Sequence, residues 1–200
     1  LAALRGGLKK GLIPTENEGE WIVEGDPSGG FDAPAESLEP DYLDGYRGPS
    51  RWIESDRREI ARLSRTATRG GRDDLERMRV AEGHIRGFIR HKTLNVGYDC
   101  TEHALLLAAV ARAAGVPARV AFGIVYQDGF AGQERVFVPH AWTQVFVDGR
   151  WHSLDSAQRR FGSGHLALHY GDGEPWHFYG GMRTLEQLRV IALEAVEDPT

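Results

Sequence analysis

From Ala104 to Ala114 the chain reads Ala-Leu-Leu-Leu-Ala-Ala-Val-Ala-Arg-Ala-Ala, apolar at every position but Arg112. A helix that is apolar nearly all round has to be covered on most of its sides, so this stretch predicts a buried helix. Its two ends are legible. Asp99 and Glu102, three residues apart, match the capping box that satisfies orphan N–H groups at a helix start. Gly115 followed by Pro117 supplies the usual stop. Beyond it the apolar period changes to that of strands, over 118–126, 136–147 and 150–155, and Asp148-Gly149 between the last two is a strong hairpin signal. A further strand-like run, 188–196, closes the chain.

Upstream, Ile60, Leu63 and Ala67 lie at helical spacing, with Ser55 or Asp56 as caps and Gly70-Gly71 as a stop. A second helical run extends from Asp73 to Arg90, with Leu75, Met78, Ile85, Phe88 and Ile89 on its inner side. Helices first and antiparallel strands later predict an α+β fold. Residues 1–50, rich in Gly, Pro and acidic side chains, read as an N-terminal extension or the remnant of a preceding domain, and 51–200 as the main domain. The acidic stretch there is most simply a solvated face. A chain of 22.2 kDa with 41% hydrophobic residues suits one domain with a proper core. Its net charge of −5 argues against a nucleic-acid partner, which would leave a basic patch or stripe. No apolar run is long enough to predict a transmembrane helix. A chain that opens on Leu1 reads as a fragment of a longer or processed polypeptide.

Cys100 is the only cysteine, which leaves no internal disulfide and no multi-cysteine zinc site. It falls in the first turn of the buried helix, where backbone N–H groups and the macrodipole favour thiolate over thiol. A free cysteine there can equally be a small buried hydrophobe. The order Cys100, His140, Asp155 is nevertheless what a thiol acyl-transfer enzyme needs: a nucleophile, a base and a carboxylate that orients the base. The hairpin tests this by parity. With Asp148-Gly149 as a two-residue turn, Val147 pairs with Arg150, Trp142 with Asp155 and His140 with Ala157. His140 and Asp155 then share a face as diagonal neighbours, roughly 7–8 Å apart along the backbone and within side-chain reach. A three-residue loop would break that parity.

Four segments carry a resemblance. They are Cys100-Thr101-Glu102-His103-Ala104, Arg112-Ala113-Ala114-Gly115-Val116-Pro117-Ala118-Arg119, His140-Ala141-Trp142, and Gly149-Arg150-Trp151-His152-Ser153-Leu154-Asp155. Together they resemble the transglutaminase-like superfamily, more narrowly its bacterial members with a D-C-x-E-H-A motif, over roughly residues 51–165. The resemblance implies a papain-like core in which a helix carrying the Cys packs against an antiparallel sheet carrying the His and Asp. It implies Cys100 as nucleophile, His140 as general base and acid, Asp155 as orienting carboxylate, and 51–200 as the catalytic domain.

Two departures from the family pattern stand out. The stretch between the preceding helix and Cys100, Lys92 to Tyr98, is short, with Tyr98 where a Gly is expected. Gln144 stands where the family often has Glu. No Gln occurs upstream of Cys100, so the familiar side-chain donor of an oxyanion hole is missing there. The Cys100 N–H is one donor for such a hole, and Tyr98 and Asn95 are candidates for a second, or else plain loop residues. Trp142 can roof the cleft or fill the core, and His103 reads as packing close to the site. His165 and His169 would share one face of a strand or of a single helical turn, which suits a metal, yet no third ligand is evident and the expected site holds none.

The activity this implies is cysteine-dependent acyl transfer on a protein or peptide amide, ending in hydrolysis or in transamidation. It needs no cofactor. An inactive binding or scaffold module on the same fold is the alternative, and metal-dependent hydrolysis a distant third. The oligomeric state is open, and so is the compartment, bacterial cytoplasm or envelope.

Overall fold

The computed structural model describes residues 12–14, 16–17, 21–23, 30–32, 40–92, 100–158, 161–162 and 164–176. Asp99, Tyr98, Asn95 and the run 188–196 lie outside the described residues. Four helices are present among those described: α1 (Pro40–Asp44), α2 (Arg58–Ala67), α3 (Asp74–Lys92) and α4 (Cys100–Ala113). Strands β1 (Leu12–Pro14) and β2 (Trp21–Val23) pair with each other. The main sheet, wholly antiparallel, takes β3 (Gly30–Asp32), β4 (Ala118–Phe130), β5 (Gln133–Val147), β6 (Arg150–Leu154) and β7 (His165–Gly171) in the order β3-β6-β5-β4-β7. The fold is α+β, a helix led by Cys100 packed on an antiparallel sheet.

The apolar helix is buried as its composition requires. Leu107, Ala108, Val110 and Ala111 of α4 lie in one core with Val120, Phe122, Ala141 and Val145 of the sheet. Thr143 Oγ1 ties the two layers by donating to the Ala104 carbonyl at 2.8 Å. The helix ends in a left-handed Gly115 (φ 85°), with the Val116 N–H bonded back to the Ala111 carbonyl. The burial of Arg112 is compensated by three partners: its Nε donates to Ala118 O, Nη1 to Gly48 O and Nη2 to Asp172.

The second helix starts later than the caps expected for it. Arg57, not Ser55 or Asp56, is its N-cap, and no side chain caps it. Ser55 is buried instead, and the Arg57 carbonyl takes the first helical bond, from Ala61. Further along, Ser64 Oγ donates to the Val110 carbonyl at 2.9 Å, pinning α2 to α4. The third helix begins as its sequence indicates, with Asp73 Oδ1 accepting the Glu76 N–H at 2.8 Å, and it turns Met78, Ala81, Ile85 and Ile89 into the core.

The β5–β6 hairpin is the element on which the site depends. Asp148 (φ 51°) and Gly149 (φ 75°) are both left-handed, as a two-residue turn matched to strand twist demands. Val147 therefore pairs with Arg150, and the register runs to Thr143 opposite Leu154. On the sheet face opposite α4, Arg119, Gln144 and Ser153 stand side by side on three strands. Arg119 Nε donates to Gln144 Oε1, and Gln144 Nε2 to Ser153 Oγ. The Arg119 guanidinium lies between the rings of Trp151 and Tyr170, at 3.8 and 3.9 Å, and donates to the Tyr42 hydroxyl of α1. Gln144 thus has a structural employment in this layer: it accepts from a buried cation.

Candidate active site

Strand β6 ends opposite Thr143, so the β5 residues Trp142 and His140 lie just past its last pair, where the chain turns out through Asp155. There His140 Nε2 is 2.7 Å from Asp155 Oδ2, with both side chains almost wholly buried. The second oxygen of the carboxylate, Oδ1, accepts the backbone N–H groups of Ala157 and Gln158, at 2.9 and 3.2 Å. Two main-chain donors on one oxygen leave the other aimed at imidazole.

Cys100, half-buried at the first turn of α4, is a free thiol packed against the main core. It shares a hydrogen bond with the His140 side chain, so one imidazole stands between the thiol and the carboxylate. Burial opposes a charge on His140, but its bonds to Asp155 and Cys100 outweigh that and push it up to about 9. Burial also opposes ionisation of Asp155, yet hydrogen bonds from His140 and His165 hold its carboxyl well below the usual range. The arrangement favours an imidazolium over a neutral ring at neutral pH.

Helix α3 grips Asp155 from outside the pattern visible in sequence. Glu82 Oε1 accepts the Asp155 N–H at 3.2 Å, and Arg86 Nη2 donates to the Asp155 carbonyl at 3.0 Å. The two side chains also pair with each other at 2.8 Å, four residues apart on one helix face. Burial pushes the Glu82 carboxyl up, against the pull of Arg86 and the Asp155 N–H. Spacing alone makes Glu82 and Arg86 a surface pair; nothing in the sequence places a strand end beneath them.

His103 sits one turn into α4, its Nδ1 3.1 Å from Ser156 Oγ, and so ties the thiol-bearing turn to the segment that follows Asp155. Trp142 is buried and stacks with His140 at 6.1 Å between centroids, so it walls the imidazole while filling the core.

A second histidine joins the group. His165 Nε2 lies 3.0 Å from the same Asp155 Oδ2, and its ring stacks on Phe161 at 4.2 Å and meets Trp142 edge-on at 5.3 Å. The pairing of His165 with His169 expected from their spacing is overturned. A β-bulge between β4 and β7 sets His165 opposite Val125 but His169 opposite Phe122, three residues away, so the two imidazoles point to opposite faces. Gly123 sits at that irregularity, and a Cβ there would overlap the Leu166 carbonyl, so the close approach of β7 requires glycine.

Residues 61–156 match the family model described as the transglutaminase-like superfamily. A crystal structure of a proposed cysteine protease from Cytophaga hutchinsonii superposes with a TM-score of 0.51 at 20% identity, over 70% of this chain and 50% of that one. The chain therefore spans about half the length of that protein, and the likeness is one of fold. No curated protein matches.

Proposed function

Residues 61–156 belong to the transglutaminase-like superfamily, and from that premise we propose that this chain is a thiol acyl-transfer enzyme acting on protein or peptide amides. The observation that carries the reading is the position of His140, bonded on one side to the lone thiol and on the other to a buried, oriented carboxylate. In this account Cys100 gives its proton to His140, and the thiolate attacks the amide carbonyl carbon. The carbonyl π pair moves onto oxygen, where the Cys100 N–H at the helix start stabilises it. A second donor is assigned to the stretch before Cys100, at Tyr98 or Asn95. Collapse of the intermediate expels the amine, which takes the proton from His140, and leaves a Cys100 thioester. Water or an amine then attacks the thioester, His140 accepts its proton and returns it to sulfur, and the acid or the new amide departs. Asp155 stays ionised throughout and keeps the imidazole aligned.

The test is capture of the thioester. After incubation with a panel of glutamine-rich and mixed peptides, acid quench and intact-mass measurement are expected to find an acyl group on Cys100. Hydroxylamine should discharge it as a hydroxamate. Peptide turnover that survives Cys100→Ala would overturn the reading.

A further inference from the structure

We propose that His140, Asp155 and His165 also form a site for a borderline divalent metal ion of the zinc class, and that metal binding there holds the thiol chemistry off. Three potential ligand atoms, His140 Nε2, Asp155 Oδ2 and His165 Nε2, lie within 4.8 Å of one another. They come from three separate elements, β5, β7 and the segment after β6, so the fold and not local spacing assembles them. Two imidazoles and one carboxylate oxygen are the donor set of three-ligand zinc sites, with bonds of about 2.0–2.2 Å that leave a fourth position open. That set favours zinc, cobalt or nickel over magnesium or calcium, which take oxygen ligands.

A second observation points the same way. His165 Nδ1 lies against the Gly162 backbone, 3.1 Å from its carbonyl oxygen and 3.4 Å from its amide nitrogen, which holds the ring with Nε2 3.0 Å from Asp155 Oδ2. A backbone contact at the far ring nitrogen is also how metal-bound histidines are commonly oriented. Asp155 is oriented in the same sense, since its Oδ1 is occupied by two N–H groups and Oδ2 is the oxygen turned toward both imidazoles.

The consequence for the thiol rests on the function proposed above; the binding does not. A metal on His140 Nε2 displaces the proton there to solvent and takes over the Asp155 oxygen. The remaining ring proton must then stay on Nδ1, the nitrogen left to face Cys100, so His140 can no longer accept the thiol proton.

The probe is zinc, with cobalt for its visible spectrum, added to the Cys100→Ala protein by equilibrium dialysis. The expected result is one ion per chain, with cobalt ligand-field bands and no thiolate charge-transfer band. His165→Gln and His165→Ala should each weaken binding at least about tenfold, with circular dichroism confirming the fold. No stoichiometric binding to Cys100→Ala, or undiminished binding to folded His165→Gln, overturns the site. In the wild type, zinc should slow alkylation of Cys100 and a chelator restore it; bound zinc with an unchanged rate overturns the competition. Metal-free alkylation that ignores His140→Ala would instead overturn the proposed function and leave the dialysis result standing.

Discussion

Glu82 and Asp155 are 73 residues apart, yet the Glu82 carboxylate accepts the Asp155 main-chain N–H at 3.2 Å and so fixes where the orienting carboxylate begins. Arg86, paired with Glu82, takes the Asp155 carbonyl at 3.0 Å. The clamp acts on the site through the backbone of Asp155. Truncation by Glu82→Ala leaves a buried N–H without its acceptor and a half-buried guanidinium without its anion. We expect a loss of about 1–3 kcal/mol in urea unfolding. Slower Cys100 alkylation in the folded variant should accompany it, and Glu82→Gln, which still accepts the N–H, should recover part of the rate. Equal rates in all three proteins would remove the clamp from the site.

Asp155→Asn keeps the shape of the side chain but not its charge. The His140 imidazolium then loses its main compensating partner while the burial that opposes its charge remains. The ring, held at about 9 in the wild type, should titrate lower in the variant when followed by NMR. Thioester formation should slow by about 10²–10⁴-fold, the usual worth of positioned acid–base catalysis. An unchanged His140 titration would contradict the assignment.

Stability should depend on pH in a direction the same residues set. Raised from 6.5 to about 9, His140 binds a proton more tightly when folded, so its contribution is fully present below pH 6.5 and is lost as pH rises through about 9. Asp155 works at the other end. Its carboxyl is depressed on folding, so its contribution is present above the ordinary value of 3.8 and fades as pH falls through the depressed one. The melting temperature should therefore decline from pH 7 to pH 10, and His140→Gln should flatten that decline. A parallel decline in both proteins would show that His140 is not its source.

Gly123→Ala should act on His165 from across the sheet. The added methyl meets the Leu166 carbonyl, and backbone cannot yield as a flexible side chain would. β7 must shift, at a cost of about 1–3 kcal/mol for overpacking, and the His165 contact with Asp155 should loosen with it. The signature is a lowered melting temperature together with a displaced His165 ring resonance in NMR. A normal His165 resonance in a stable variant would contradict it.

The legible parts of this molecule are those carried by short-range pattern. The buried helix announced itself through eleven nearly apolar residues, and Asp148-Gly149 set a hairpin register from which the proximity of His140 and Asp155 follows. What sequence could not supply depends on contacts between distant elements. The bulge that separates His165 from His169 arises where Gly123 lets β7 approach, and neither residue signals it alone. Glu82 and Arg86 look like any helical surface pair until the end of β6 is laid against them. Arg119 gives no hint of its burial, since its compensation comes from two aromatic rings, a tyrosine and Gln144 on four other elements.

The central claim is that His140 activates Cys100, and the rate of iodoacetamide alkylation at pH 6 tests it most directly. A free thiol of pKa about 8.5 is only about 0.3% ionised at that pH, so an unassisted cysteine reacts slowly. Wild-type Cys100 should react at least about tenfold faster at pH 6 than Cys100 of folded His140→Ala. Equal rates in the two proteins would contradict it.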